Sequence, residues 1–297
     1  MSQSSVVSFT KEATSLLFQN ILVAYDFSET SETALRHAVT FARKFGGFVN
    51  VVSVQSGAEY AAEMDSGAGR GESHRQLMED LQRLAERLTA QGIRNRVVYR
   101  TGAVADVLVQ LATEYKVDLM LLGAYGQRGM DRPRLGSTAE YMLRCMPCAV
   151  LTIGPGAVLH DLDVPPMRML LYASSLPKEP GTAEQLVTTL AKEMSAKVEV
   201  VHVVDNRTRF RDIRSEEEMK LAEEVLAGGL RRAGVQTGWR LLSGSQGQRI
   251  VERSTEIHAD LIIFGLEHVP GSPDAVGTIS MAIWQAPCPV LTVPGPA

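Results

Sequence analysis

The chain says most of its strand vocabulary twice. Val117-Asp118-Leu119-Met120-Leu121-Leu122-Gly123 returns as Ala259-Asp260-Leu261-Ile262-Ile263-Phe264-Gly265. Met146-Pro147-Cys148-Ala149-Val150-Leu151-Thr152-Ile153 returns as Ala286-Pro287-Cys288-Pro289-Val290-Leu291-Thr292-Val293, and Val49–Val54 as Val198–Val203. Internal self-similarity on this scale means two units of one architecture, and 297 residues suffice for two ordinary domains. The Gly- and Pro-rich stretch from Gly154-Pro155-Gly156 to Val164-Pro165-Pro166 has little periodicity and reads as the connection. The expected division is a tail over 1–17, a first domain over 18–154, a linker over 155–167 and a second domain over 168–297.

Within each unit, short apolar runs alternate with stripes of helical period. Ala34, Leu35, Ala38, Val39 and Ala42 make one stripe. Leu77, Met78, Leu81, Leu84, Ala85 and Leu88 make a second, and Val104, Val107, Leu108, Leu111 and Tyr115 a third. The second unit carries Leu186, Val187, Leu190 and Met194, then Leu221, Val225, Leu226 and Leu230. Strand–helix alternation predicts an α/β fold with right-handed crossovers and a parallel sheet covered on both faces. Ligands of such sheets bind at the carboxyl ends of strands, where the strand order reverses. Asp26, Val54, Leu122 and Gly123 fall at such ends.

At one of those ends stands Gly123-Ala124-Tyr125-Gly126, with Gly136-Ser137 ten residues further on. Without a Cβ, Gly123 and Gly126 permit close approach of backbone. Gly136-Ser137 opens a helical stretch to Arg144, and a helix N-terminus offers free N–H groups to an anion. This arrangement suggests a loop wrapped around sugar and phosphates. Arg128, Arg132 and Arg134, with Asp131, leave the loop net positive.

The spacing G-x2-G-x9-G-[S/T] after a strand resembles the ATP-binding signature of the universal stress proteins. The opening strand Ile21–Ser28 with its Asp26, and the closing strand Pro147–Leu151, resemble that family too, and the likeness runs over nearly the whole chain. The resemblance implies two tandem Rossmann-like domains of the adenine nucleotide alpha hydrolase kind, each with a five-stranded parallel sheet flanked by helices. It implies ATP, with Mg²⁺, bound by Asp26 and by the backbone of Val54 at adenine and ribose, and by Leu122, Gly123 and Gly126 alongside. Gly136, Ser137 and Thr138 would hold the phosphates through N–H groups and the Ser137 hydroxyl. A cyclic nucleotide is the alternative ligand, against which the three arginines weigh. It also implies pairing through the last strands, Ala149–Ile153 against Pro289–Val293, as a pseudo-dimer inside one chain, with a homodimer as a further option. The implied role is regulatory, with a partner protein reading nucleotide occupancy.

The second unit departs from the signature. Ser174 is read at the place of Asp26, and His268 replaces the second glycine. The interval to Gly277-Thr278 is one residue shorter and carries Glu267 and Asp274 but no Lys or Arg. One nucleotide site is therefore expected, in the first domain, with the second as a folded partner.

Other chemistry is weakly supported. There is no G-x-x-x-x-G-K-[S/T] segment and no G-x-G-x-x-G after the first strand. No nucleophile–base arrangement stands out, so at most slow ATP hydrolysis or autophosphorylation is expected; a non-nucleotide interaction module is the remaining alternative. Cys145-x-x-Cys148 closes a helix rather than opening one and reads as structural, and three cysteines do not form a disulfide framework. His202 reads as a core histidine. Arg207, Arg209, Arg211 and Arg214 read as an exposed loop, and Gly57–Gly71 as a mobile surface insertion, with a lid over the site as the alternative. A net charge of −4 gives no electrostatic reason for nucleic-acid binding, and no run of apolar residues reaches membrane-spanning length. A cytoplasmic setting follows as the expectation.

Overall fold

A computed structural model of the chain describes residues 17–56, 70–126, 135–145, 148–161, 163–174, 181–204, 216–266 and 273–295. The first half runs β1 (Asn20–Ala24), α1 (Glu29–Phe45), β2 (Phe48–Gln55), α2 (Arg70–Ala90), β3 (Asn95–Thr101), α3 (Val104–Glu114), β4 (Leu119–Gly123), α4 (Ser137–Cys145) and β5 (Ala149–Ile153). The second half repeats it as β6 (Met169–Ala173), α5 (Thr182–Met194), β7 (Lys197–Val204), α6 (Glu216–Arg232), β8 (Thr237–Ser243), α7 (Gln246–Glu256), β9 (Leu261–Gly265), α8 (Pro273–Gln285) and β10 (Val290–Val293).

The strands form one sheet in the order β3-β2-β1-β4-β5-β10-β9-β6-β7-β8. Each half is wholly parallel, and the halves join through the antiparallel pair β5–β10, with Leu151 opposite Leu291. The last strands thus meet as the resemblance implies. In the first half the order reverses between β1 and β4, which opens a crevice at their carboxyl ends.

Local chemistry explains the element ends. Ser28 caps α1, its hydroxyl accepting from Ser31 N–H at 3.2 Å, and Gly46 ends the helix at φ 70°. Asp118 accepts from the amides of Gln19 (2.7 Å) and Asn20 (3.2 Å) and so ties the start of β4 to the start of β1. Asp260 repeats the device on the amides of Arg168 (2.7 Å) and Met169 (2.8 Å). These duplicated aspartates are structural clamps that the sequence comparison shows as a repeat without showing their purpose.

One apolar cluster runs through both halves on the α1 and α5 face of the sheet, from Ile21 and Phe41 to Leu170, Val187 and Leu291. The connection between the halves is docked there rather than loose. Ala157 and Met167 are buried in this cluster, Leu159 N–H donates to Thr33 Oγ1 at 3.2 Å, and Arg36 donates to the carbonyls of Leu159 and Asp161. Two expected stripe members are exposed: Met78 by 42% and Leu221 by 63%. Their helices present those residues at the rim, where the stripe is wider than the surface it covers. His202 is only half-buried, its Nδ1 2.9 Å from the Ser174 carbonyl. Among the described residues no helix is long and apolar enough to cross a membrane.

Candidate functional site

The crevice at the β1/β4 reversal holds a cleft of about 190 Å³. Asp26, Val54, Leu122, Gly123, Gly126, Gly136, Ser137 and Thr138 all line it. Residues separated by more than a hundred positions come together because β1, β2 and β4 end at one level and α4 begins beside them.

Asp26 follows β1 at a turn in which Phe27 adopts φ 64°. That conformation is costly for an aromatic residue and is sustained only by surrounding structure. Asp26 Oδ1 accepts from Ser28 N–H (3.1 Å) and Ser28 Oγ–H (2.6 Å), which orients the capping serine of α1. Asp26 Oδ2 faces the glycine loop: a Cβ on Gly126 would lie 2.6 Å from it. Gly126 is thus a glycine because the loop closes on the carboxylate.

Gly123 has a different reason. A Cβ there would lie 2.2 Å from Oγ1 of Thr30, a fully buried residue of α1 whose hydroxyl donates to the Tyr125 carbonyl at 3.0 Å. The first glycine of the motif is required by helix packing, and Thr30 in turn fixes the loop. Gly136 also departs from expectation. Its N–H donates to the Ala124 carbonyl at 2.8 Å, so that amide holds the two ends of the loop together and does not face a phosphate. Its carbonyl accepts the first helical bond, from Glu140 N–H. The amides left without a helical acceptor are those of the first turn of α4, beginning with Ser137 and Thr138.

Val54 sits beyond the last β1–β2 pair, Ala24 with Val52. Alternate residues of a strand direct their backbone groups to the same side, and Val52 directs its carbonyl to Tyr25 N–H. The N–H and carbonyl of Val54 therefore face the cleft where β1 has ended. Val104 and Leu108 of α3, with Val52 and Leu122, form the apolar wall. The two α3 residues were legible in the sequence only as a helical stripe. Tyr25 also lines the cleft, but its hydroxyl donates to Glu32 at 2.7 Å; burial, reinforced by Glu32, pushes that phenol above its ordinary range.

The second half differs at the matched positions. Leu119 and Leu261 stand opposite Ile21 and Leu170. Counting from there, Ser174 matches Tyr25 and not Asp26; both amides donate at 2.9 Å, to Val201 and Val52 respectively. The counterpart of Asp26 is residue 175, which lies outside the described residues. Gln246, at the place of Val104, donates at 3.5 Å to the carbonyl of Val203, the counterpart of Val54. Gly277 and Thr278 lie inside α8, which starts at Pro273, so they do not form its N-terminus.

Arg128, Asp131, Arg132 and Arg134 lie outside the described residues, as do residues 57–69 of the Gly57–Gly71 loop, residues 207–214, Glu267 and His268; Gly71 belongs to α2. The three cysteines are free thiols; Cys145 is exposed, and burial pushes Cys148 and Cys288 each up to about 12.

The cleft combines an apolar slot, an open backbone edge, a carboxylate and a helix N-terminus. That set matches the base, sugar and phosphates of a nucleotide.

The model of the universal stress protein family matches the chain twice, over residues 17–154 and 167–294. A universal stress protein from Archaeoglobus fulgidus DSM 4304 is similar in fold, with TM-score 0.73 and 21% identity, covering 94% of this chain and 98% of that one. A putative universal stress protein from Pseudomonas aeruginosa UCBPP-PA14 has TM-score 0.63 at 14% identity, covering 94% of each chain. A putative universal stress protein of Staphylococcus haemolyticus is 29% identical over 152 residues, which are 50% of this chain and 92% of that relative.

Proposed function

The chain belongs to the universal stress protein family, and we propose that it binds one adenine nucleotide, ATP with Mg²⁺, in the cleft of its first half. The observation that carries this reading is the contrast between the halves. In the first, the backbone edge at Val54 opens onto the cleft and Ser137 begins a helix. In the second, Gln246 covers the matching carbonyl and Gly277-Thr278 lies inside a helix.

Adenine would lie between Val54 and the Val104–Leu108 wall, with its polar edge on the Val54 backbone. Asp26 Oδ2 would accept from a ribose hydroxyl, and the first-turn amides of α4 with the Ser137 hydroxyl would hold phosphate. Among the described residues no group of three or more His, Cys, Asp or Glu could hold a metal. Mg²⁺ would bind chiefly through the phosphates and water, as it commonly does. The role would be regulatory and cytoplasmic, with occupancy of the loop read by a partner protein. The domain division is 18–154 and 168–297, the second serving as the fixed partner of the first.

The test is to denature the protein as purified and identify and count the released nucleotide by chromatography. One ATP per chain is expected. No nucleotide, and none taken up from Mg-ATP, overturns the proposal; mostly ADP replaces it with a slow ATPase.

A further inference from the structure

At the opposite, amino end of the first-half sheet lies a second concavity of about 530 Å³. It opens beneath the C-terminus of α3, where that helix stops short of covering the sheet. Arg96 of β3 forms its wall. The guanidinium carbon is 4.6 Å from the centre of the Tyr115 ring and 5.8 Å from that of Phe48. Two aromatic contacts immobilise the flat group without using any of its N–H donors. Among the described residues the exposed Arg96 side chain has neither an ion pair nor a hydrogen bond. Arg94 stands on the same rim and donates to the Gly46 carbonyl.

The second half shows what this place looks like when it is closed. Asn50 is the cross-strand partner of Arg96; the matched pair is Glu199 with Gly238. Glu199 is held by Arg253 of α7, Nε to Oε1 at 2.6 Å and Nη2 to Oε2 at 2.8 Å. There a carboxylate and a guanidinium satisfy each other. In the first half the carboxylate is replaced by a buried asparagine whose amide donates to the Ile21 carbonyl at 3.2 Å. The arginine has moved to the strand and has no partner of opposite charge among the described residues.

From this contrast we infer that the cleft under α3 binds a small organic carboxylate, held in bidentate fashion by Arg96 with Arg94 beside it. The guanidinium fork matches a carboxylate, and the ligand supplies from outside the pairing that Glu199 supplies within the second half. Glu114 lines the same cleft without pairing to Arg96. Its charge selects for a ligand that presents one carboxylate to the arginines and keeps any second one clear of Glu114. The site lies at the far end of the sheet from the nucleotide cleft and does not depend on it.

The experiment follows the arginine Nε–Hε resonances of the full chain by NMR while acetate, succinate, inorganic phosphate or chloride is added at constant ionic strength. The expected result is a saturable shift of one arginine signal with acetate and succinate. That shift is absent in Arg96→Lys, which keeps the charge and loses the fork. It is weakened at least fivefold in Tyr115→Leu, which keeps both arginines. Both variants should melt near the parent temperature and release the same nucleotide as the parent. A shift linear in concentration, or the same with chloride, overturns the site. Tighter binding of phosphate than of either carboxylate overturns the ligand class.

Discussion

The ring of Tyr125 lies 5.8 Å from the ring of Trp284, tilted by 57°, across the seam between the two halves. Tyr125 belongs to the glycine loop of the first half, and Trp284 to α8 of the second. Ala124, Tyr125 and Leu143 are all counted in the apolar cluster of the second half. The loop is therefore held from two sides, by Thr30 on its backbone and by Trp284 on its ring. Trp284→Ala should lower nucleotide affinity several-fold although Trp284 does not line the cleft. Trp284→Phe should restore most of it, because aromatic packing contributes about 0.5–1.5 kcal/mol beyond burial. Titration of the stripped protein with ATP checks this; equal affinities in all three proteins would show that the seam does not set the loop.

The two loop glycines should fail differently. Gly123→Ala drives a Cβ to 2.2 Å from Thr30 Oγ1, inside the core, and should destabilise folding by about 1–3 kcal/mol. Gly126→Ala drives a Cβ to 2.6 Å from Asp26 Oδ2 at the edge of the cleft. It should leave urea unfolding close to the parent and reduce nucleotide retention. Denaturation curves and released-nucleotide counts on the two variants would separate the effects.

His37 sets an acid limit. It is buried on α1, both ring nitrogens lack a partner among the described residues, and burial lowers its pKa from 6.5 to about 4. Folding holds the imidazole neutral, so between those values the unfolded chain binds more protons than the native one. Stability from this group is fully present above pH 6.5 and is lost as pH falls toward 4, by an amount on the order of 3 kcal/mol. His37→Leu should flatten that part of the stability profile. An unchanged slope from pH 6.5 to 4 in the variant would assign the acid sensitivity to other groups.

Freeing the second half should not create a second site. Gln246→Val removes the side chain that covers the Val203 carbonyl, yet Gly277 and Thr278 remain inside α8. Nucleotide stoichiometry is expected to stay at one per chain. A second equivalent bound by this variant would show that the Gln246 contact alone closes that half.

The sequence by itself determined the number of units, the order of strands and helices, and which residues gather at the carboxyl ends of β1, β2 and β4. Each rests on short-range pattern: apolar runs long enough for a strand, stripes at helical period, and glycines at a fixed interval. Repetition made these signals stronger, since the same segments recur with the same flanks. The joining of Ala149–Ile153 to the last strand was expected from the family resemblance and not from the residues themselves, and it is present as the β5–β10 pair.

Only the tertiary structure decided what each group does once there. The Gly136 amide is engaged by Ala124, and Gly123 answers to Thr30, because α1 and the loop pack together across nearly a hundred residues. Strand register moved Ser174 from the place of Asp26 to that of Tyr25, a one-residue shift that composition cannot reveal but that reverses which face a side chain takes. The start of α8 at Pro273 placed a glycine–threonine pair inside a helix, where its amides are engaged. Hydrogen bonds and close packing are long-range in sequence, so the divergence of the second copy is legible in its residues while the contacts that set the two clefts apart, such as Gln246 on the Val203 carbonyl, are visible only in three dimensions.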